Sequence, residues 1–415
     1  MFRRKSFNAP EGCHLRSQQM RFLLAAALLF ILTACTADPR RDFKGTRVKP
    51  LWNIPNIAVS QDPVVQDGII YVFASPAGVP AMKRNLYAFD LKTRKQLWNS
   101  NFVPLDKIKY FSGAALFVAD DHGLGHTLDR KTGQELEPAK PLQMVKAVAR
   151  DNIVYANFKD GTIASSAPGA LTSTSSWTLK TDTHPNKYVE PVLHDETLYT
   201  FGDSAPESEI SEGMTVYAID AAKGKIRWQY EARAQNMRSR QMQADASTLY
   251  VTMELQTPEG KRLRRLTALD SSTGKAKWSA DTGERFSLDQ PLLLDPSTIL
   301  LCDQFDNNTI IIRALDSATG KDLWRSQTIA KFGEWHIYEG ALYFADRVDH
   351  SSLGMWLYPN TRGPKDTWIV RVDPRTGKEV WRSEVVEKAT FMSPTFADGL
   401  VIVGSDPSGI YAYRP

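Results

Sequence analysis

Apolar positions at Leu266, Ala268 and Trp278 bracket a polar run from Asp270 to Gly274. This pattern predicts two short strands joined by a tight turn, a hairpin with a bulge. Gly274 suits the left-handed position that ends such a turn. Asp270 suits acceptance of hydrogen bonds from amides two or three residues on. A hairpin of this kind cannot bury its own apolar face, so it must stack on copies of itself.

Copies are present. Asp and Trp recur eight residues apart at Asp90/Trp98, Asp220/Trp228, Asp270/Trp278, Asp316/Trp324 and Asp373/Trp381. Asp129 opens a sixth copy that has Glu137 where Trp belongs. The Gly slot holds Gly133, Gly224, Gly274, Gly320 and Gly377, and only Arg94 departs from it. Trp177 and Trp52 extend the series, giving eight slots spaced by 39 to 57 residues. That is the period of a four-stranded propeller blade. Each Trp is expected to dock, buried, between neighbouring blades.

The two ends complement each other. After Trp381 one further unit runs through Ser393–Val403 and Ile410–Tyr413 but has no Asp turn or Trp strand, whereas Trp52 sits in a Trp strand with no preceding hairpin. The expected fold is therefore all-β: an eight-bladed propeller of four-stranded antiparallel blades, closed by the N-terminal strand joining the last blade. Such pairing removes two exposed sheet edges. Glu137 and the polar third copy, Gly161 to Ser176, predict the softest seams.

Pro63–Val72 followed by Leu86–Asp90 and Leu97-Trp98 resembles the repeat of the PQQ-like propeller superfamily. That superfamily includes quinoprotein dehydrogenases and the BamB-type lipoprotein subunit of the outer-membrane β-barrel assembly machine. The resemblance covers nearly the whole mature chain and is specific for fold. One propeller scaffold carries many activities, so it specifies function far less.

Residues 1–34 read as a leader, with Met20 able to serve as its start: Arg21 precedes eleven apolar residues, Phe22 to Leu32, too few to span a membrane. Leu32-Thr-Ala-Cys35 resembles a bacterial lipobox, which implies that Cys35 becomes the lipid-modified N-terminus. Thr36 is not the Asp that marks inner-membrane retention in many such lipoproteins, so the expected location is the outer membrane, facing the periplasm. Residues 35–47 read as a flexible tether and 48–415 as a single propeller domain.

Removing the leader changes the charge argument. It holds five basic groups and one acidic group, so the mature chain is formally neutral against +4 for the whole. Nothing in that balance points to nucleic acid. Cys302, the remaining thiol, follows an apolar run and suits a buried, inert position.

Up-and-down strands place A–B and C–D turns at one end of the ring and B–C loops and D–A links at the other. The A–B turns are short (Asp67-Gly68, Asp398-Gly399), while 74–85, 203–214, 253–265 and 345–367 read as long insertions gathered at the opposite end. Binding usually sits on such loops. Arg233, Arg238 and Arg240 from a D–A link, with Lys261, Arg262, Arg264 and Arg265 from the neighbouring B–C loop, suggest one basic patch for an acidic partner or lipid headgroups. A solvated face balanced by Glu254 and Glu259 is the competing reading. Trp356 and Tyr358, in the longest insertion, suggest either a protein-docking anchor or a cover over the channel.

Catalytic chemistry is thin. Quinoprotein enzymes of the resembled superfamily use PQQ with calcium, a catalytic Asp and, in many, adjacent cysteines. This chain has no Cys-Cys pair, and Asp303–Asn308 lacks the alternating ligands and Gly of a calcium loop. PQQ is therefore not expected, and no catalytic or metal-binding residue is assigned. His122 and His126 have metal-like spacing without a third ligand, and His126 falls in the slot of Tyr87 and Tyr217. The expected role is a monomeric, non-catalytic, lipid-anchored scaffold for an envelope protein partner, with the β-barrel assembly machine the partner that the resemblance implies. A PQQ-dependent oxidoreductase, or a propeller binding a small molecule or polysaccharide, are the alternatives.

Overall fold

Each Asp turn folds as its residue types dictate. Asp270 Oδ1 accepts the amides of Ser272 and Thr273 at 3.1 and 2.9 Å and both their hydroxyls. Asp90, Asp129, Asp220, Asp316 and Asp373 cap their own turns in the same way. The register then shifts by a bulge, between Ala268 and Leu269 in this copy and at the same place in four others. Arg94, the one departure from Gly, adopts φ 64° and so takes the left-handed conformation its slot demands.

The computed structural model describes residues 45–79, 84–104, 108, 110–141, 144–151, 153–158, 160–167, 175–185, 189–203, 211–257, 259–282, 292–304, 309–326, 329–330, 336–349, 365–376 and 378–415. Among them there is no helix, and so none long and apolar enough to cross a membrane. They make an eight-bladed propeller of antiparallel blades, and residues Arg47–Pro415 cluster as one unit. Cys35, Trp356, Tyr358 and Gly377 lie outside the described residues.

Blades pack through a repeated lock. The indole Nε1 of Trp98, Trp177, Trp228 and Trp278 donates to the carbonyl of Arg130, Ala221, Ser271 and Ser317 at 3.1, 2.8, 2.9 and 2.9 Å. Each acceptor lies one residue after the Asp of the next blade. The glycine of that same turn lies against the indole. A Cβ on Gly133, Gly224, Gly274 or Gly320 would come within 2.5 Å of the ring. The slot therefore needs glycine twice over, for its positive φ and for the space the indole occupies. Sequence reading missed the third part of the lock. Tyr71, Tyr155, Tyr199, Tyr250 and Tyr343 lie 5.8 to 6.1 Å from the Trp of their own blades, an aromatic pair from strands B and D.

The expectation that every repeat Trp is buried needs correcting at four positions, of which Trp324 is one. This residue sits in strand Asp322–Arg325 opposite Ala314, as its slot requires. It packs against a cluster joining Leu300 and Ile312 of its own blade to Leu342 and Phe344 of the next, so it does dock at the seam. It is nevertheless only half-buried, as are Trp52, Trp177 and Trp278, whereas Trp98, Trp228 and Trp381 are buried. Strand D is the outermost of each blade, and an indole on it is covered chiefly from the side of the neighbouring turn.

The N-terminal strand Trp52–Ile54 pairs antiparallel with Gly409–Tyr413, Trp52 opposite Ala412 and Ile54 opposite Ile410. The chain ends thus make the pairing that a ring built from complementary ends requires. Gly409 permits the approach, since a Cβ there would lie 2.1 Å from the Ile54 carbonyl oxygen. Ile54, Ile57, Ile70 and Val72 of the first residues share an apolar cluster with Leu400, Ile402 and Ile410 of the last. Just before this, the Val48 carbonyl accepts the Glu384 amide, so the entering chain also touches blade seven.

Seven sheets carry the eight blades, because Ile226–Ala244 is one strand of 19 residues. Its first half is strand D of blade four and its second half strand A of blade five. The expected link across Arg233–Arg240 is therefore strand. The 253–265 insertion is corrected in the same way. Strands Thr248–Gln256 and Arg262–Asp270 run in register through it and leave only a tight connection. Charges hid these strands, since Glu254 and Arg264 occupy positions where an apolar residue would have revealed the alternation.

Candidate functional site

The long-connection end of blades four and five is where the sequence-selected cations fall, and strand alternation divides them. Arg264 and Glu254 stand opposite each other in register and are both buried, with Arg238 opposite Glu254 from the other side. Arg265, one residue on, points to the other face and makes a bidentate pair with Asp281 at 2.7 and 3.0 Å. That carboxylate raises the Arg265 guanidinium above its usual range. Arg233 is exposed and 3.5 Å from Glu231, and Arg262 and Lys261 are exposed. The side chain of Arg240 lies outside the described residues. The other six are thus spread over two faces and a buried row instead of one patch, because successive side chains on a strand point oppositely.

One of them lines a concavity. A cleft of about 380 Å³ lies between Thr183, the strand segment Gly213–Thr215 and the strand segment Glu231–Arg233. Thr183 is held by Tyr217, with Oγ1 and OH 2.8 Å apart. The Glu231–Arg233 pair supplies both signs of charge at the wall. This arrangement offers hydrogen bonds and a zwitterionic rim for a polar segment. It presents no nucleophile and base in contact.

The two histidines part company. His126 lies in strand Leu124–Asp129, as its Tyr slot implied, and is only 5 % exposed. Its Nε2 lies 3.1 Å from Asp120 Oδ2, its Nδ1 lies 2.8 Å from Glu135 Oε1, and Phe102 stacks on the ring at 3.8 Å. His122 is on the surface, 2.9 Å from Asp121. Burial disfavours ionised Asp120, yet the Leu124 amide, His126 and the His122 amide together hold its carboxyl below the usual range. Sequence reading saw His126 as a strand residue and missed this network. The signal was there: an ionisable residue in a tyrosine slot, with Glu137 in the tryptophan slot of the same blade.

Among the described residues, Asp120, Asp121 and His122 bring three metal-ligand atoms within 4.8 Å of one another. They do not fit the calcium that accompanies PQQ. Calcium takes six to eight oxygens, whereas this turn offers an imidazole and an Asp120 already engaged by two amides and by His126. Residues 305–308 of the Asp303–Asn308 run lie outside the described residues.

A family model described as outer membrane protein assembly factor BamB matches residues 82–251 and 159–334, together more than half of the chain. The chain belongs to this family. Within the wider PQQ-like propeller superfamily, the BamB-family chain is also 29 % identical over 107 residues to the quinohemoprotein alcohol dehydrogenase ADH-IIG of Pseudomonas putida. That match spans 26 % of this chain and 14 % of the enzyme. Among solved structures, the computationally designed Ika8 protein is similar with a TM-score of 0.54 at 13 % identity, over 89 % of this chain and 100 % of that one. A europium-containing methanol dehydrogenase gives 0.54 at 11 %, over 89 % and 93 %. BamB from Moraxella catarrhalis gives 0.49 at 14 %, over 89 % and 100 %. At these identities the first two likenesses speak for the fold alone, and the third, at 0.49, carries no argument.

Proposed function

We propose that this BamB-family propeller is a non-catalytic, lipid-anchored scaffold on the periplasmic side of the outer membrane, binding a protein partner of the outer-membrane assembly machinery. The observation that carries this reading is the family match, whose two overlapping spans, 82–251 and 159–334, take in the strands of the candidate face. The cleft beside Glu231 and Arg233 supports it, because its mixed charge suits a polypeptide segment. The Leu32–Cys35 lipobox supports the anchor.

Crosslinking the full-length protein in membranes, followed by affinity capture, tests the scaffold role. Recovery of the β-barrel assembly machine is expected, and reproducible recovery of a different envelope complex in its place would overturn the partner. Metabolic labelling with a fatty acid tests the anchor separately: label is expected on wild type and absent from Cys35→Ser.

The short match to a quinohemoprotein enzyme favours a second reading, a PQQ-dependent oxidoreductase. Titration of the purified protein with PQQ and calcium separates the two. The scaffold reading expects no saturable change in quinone absorbance.

A further inference from the structure

Strand D of each blade carries one exposed residue outside the ladder. Trp98 and Gln96 pair with Ala88 and Phe89, so Leu97 between them is the extra residue of the bulge, on the outermost strand. Leu323 and Val380 take this slot in blades six and seven, and Ser176, Arg227 and Lys277 take it in blades three to five. Leu136 and Leu51 stand in it in blades two and eight, each directly before the Trp position.

The chemistry of the slot divides the ring into two sides. Leu323, Val380, Leu51, Leu97 and Leu136 are 43 to 55 % exposed and fall on five consecutive blades, six, seven, eight, one and two. The polar residues fill the remaining three blades. Among the described residues, the other large exposed apolar side chains are Ile153 and Ile226, both outside the slot. Apolar side chains scattered singly over a surface need no account, but confinement to one side does.

Blade eight is the middle of this arc, and the chain enters the ring there. The Val48 carbonyl accepts the Glu384 amide of blade seven at 2.9 Å, and the Leu51 amide donates to the Ala412 carbonyl of blade eight at 2.7 Å. Only residues 36–47 separate Cys35 from this entry point. Fully extended, they reach at most about 43 Å. A lipid on Cys35 therefore draws the ring to the bilayer from the side of blades seven and eight.

We propose that the rim of blades seven, eight and one is a lipid-docking edge, on which Val380, Leu51 and Leu97 rest in the interfacial layer of a phospholipid bilayer. A flat surface touching blade eight meets its two neighbours before the ring curves away, so Leu323 and Leu136 form the shoulders of the contact. Lys378, Lys49 and Lys95 each precede one of the three apolar residues by two positions and are exposed, which suits phosphate headgroups at the same level. Lys49 also lies 3.8 Å from Glu384. Three side chains hold a bilayer weakly, but the tether makes their binding intramolecular, at an effective concentration in roughly the millimolar range. Blade four, with the Thr183–Arg233 cleft, lies opposite blade eight in the ring and is turned away from the bilayer. This docking rests on the lipid anchor proposed above and adds an orientation to it.

Full-length lipidated protein in vesicles of phosphatidylethanolamine and phosphatidylglycerol tests it. A nitroxide is attached at Leu51→Cys, Leu97→Cys or Val380→Cys, and for comparison at Ser176→Cys or Lys277→Cys, each with Cys302→Ala. Collisional relaxation should favour oxygen over a water-soluble nickel chelate at the three rim sites, and the chelate at the other two. In the unsubstituted protein, amides of residues 51–54 and 96–99 should exchange more slowly on vesicles than in Cys35→Ser protein free in solution, with residues 226–229 unchanged. Failure to float with the vesicles would overturn the anchor and the docking together. Flotation with all five labels open to the chelate, or with no slowing at the rim, would overturn the docking and leave the anchor standing. Rim protection found in native membranes but missing from pure-lipid vesicles would assign the edge to a protein partner and overturn lipid docking.

Discussion

The indole of Trp228 lies over Gly274 of the next blade so closely that a methyl group on the glycine would sit 2.5 Å from Cε3. The same turn offers the Ser271 carbonyl to Nε1 at 2.9 Å. One residue pair thus fixes turn conformation, blade spacing and the polar end of a buried aromatic together. The repeat survives at Trp98/Gly133, Trp177/Gly224 and Trp278/Gly320 because no other side chain meets all three demands.

Gly274→Ala should cost far more than Gly68→Ala, although φ is 71° at one and 74° at the other. Nothing lies within 4 Å of a Cβ at Gly68. The Gly68 change should cost about 1–2 kcal/mol from the left-handed backbone alone. At Gly274, collision with the indole should add about 1–3 kcal/mol. Urea denaturation of both variants measures the difference, and equal costs would refute the close-contact account.

Trp228→Ala should destabilise by about 3–5 kcal/mol, a large share of a total of about 5–15 kcal/mol. Trp228→Phe additionally isolates the hydrogen bond, worth about 1 kcal/mol. Trp381 is buried, but its Nε1 has no partner, so Trp381→Phe should lack that increment. Equilibrium unfolding of the two Phe variants compares them directly.

Acid stability should depend on the turn aspartates. Hydrogen bonds from the Ser272 and Thr273 side chains and amides lower the Asp270 carboxyl to about 2 from 3.8. A depressed value means the folded state favours the ionised form. The contribution is therefore complete above pH 3.8 and disappears as pH falls towards about 2. Asp270→Asn should lower stability near neutrality, where the contribution is complete, and flatten the stability–pH curve in that window, so that the two proteins converge at the acid end. An unaltered acid limb would count against the capping account.

Arg264→Ala should be destabilising, by about 1–3 kcal/mol, because it removes a buried guanidinium opposite buried Glu254 and leaves Arg238 as the cation in register with that carboxylate. Arg262→Ala, at an exposed position two residues away, should fall within about 0.5 kcal/mol. If both scored alike in thermal melts, the buried row would carry no weight.

Hydrogen exchange should find the seam after blade two the least protected. Glu137 cannot replace an indole there, whereas the seam after blade three keeps the full lock, Trp177 against Gly224 and the Ala221 carbonyl. Softness expected at both seams thus narrows to the first. Uniform protection across blades two and three would contradict this.

The spacing of Asp, Gly and Trp was enough to specify turns, bulges, blade number and the meeting of the two ends. Each depends on local backbone chemistry repeated at a fixed period, which a linear pattern records. How deeply each indole is covered was not recorded there, so Trp324 and Trp381 look alike in sequence and differ in burial. Tyr71 and its counterparts escaped notice because their role rests on a ring packed from another strand. Arg233–Arg240 and 253–265 looked like loops because charges interrupted the alternation, and only a neighbouring strand can make a buried Glu254 tolerable beside Arg264. The tertiary structure alone decided which cations share a face, where the Thr183–Arg233 cleft opens, and that Asp120 and Glu135 close on His126. Those are relations between residues brought together by blade stacking, and separation along the chain carries no record of them.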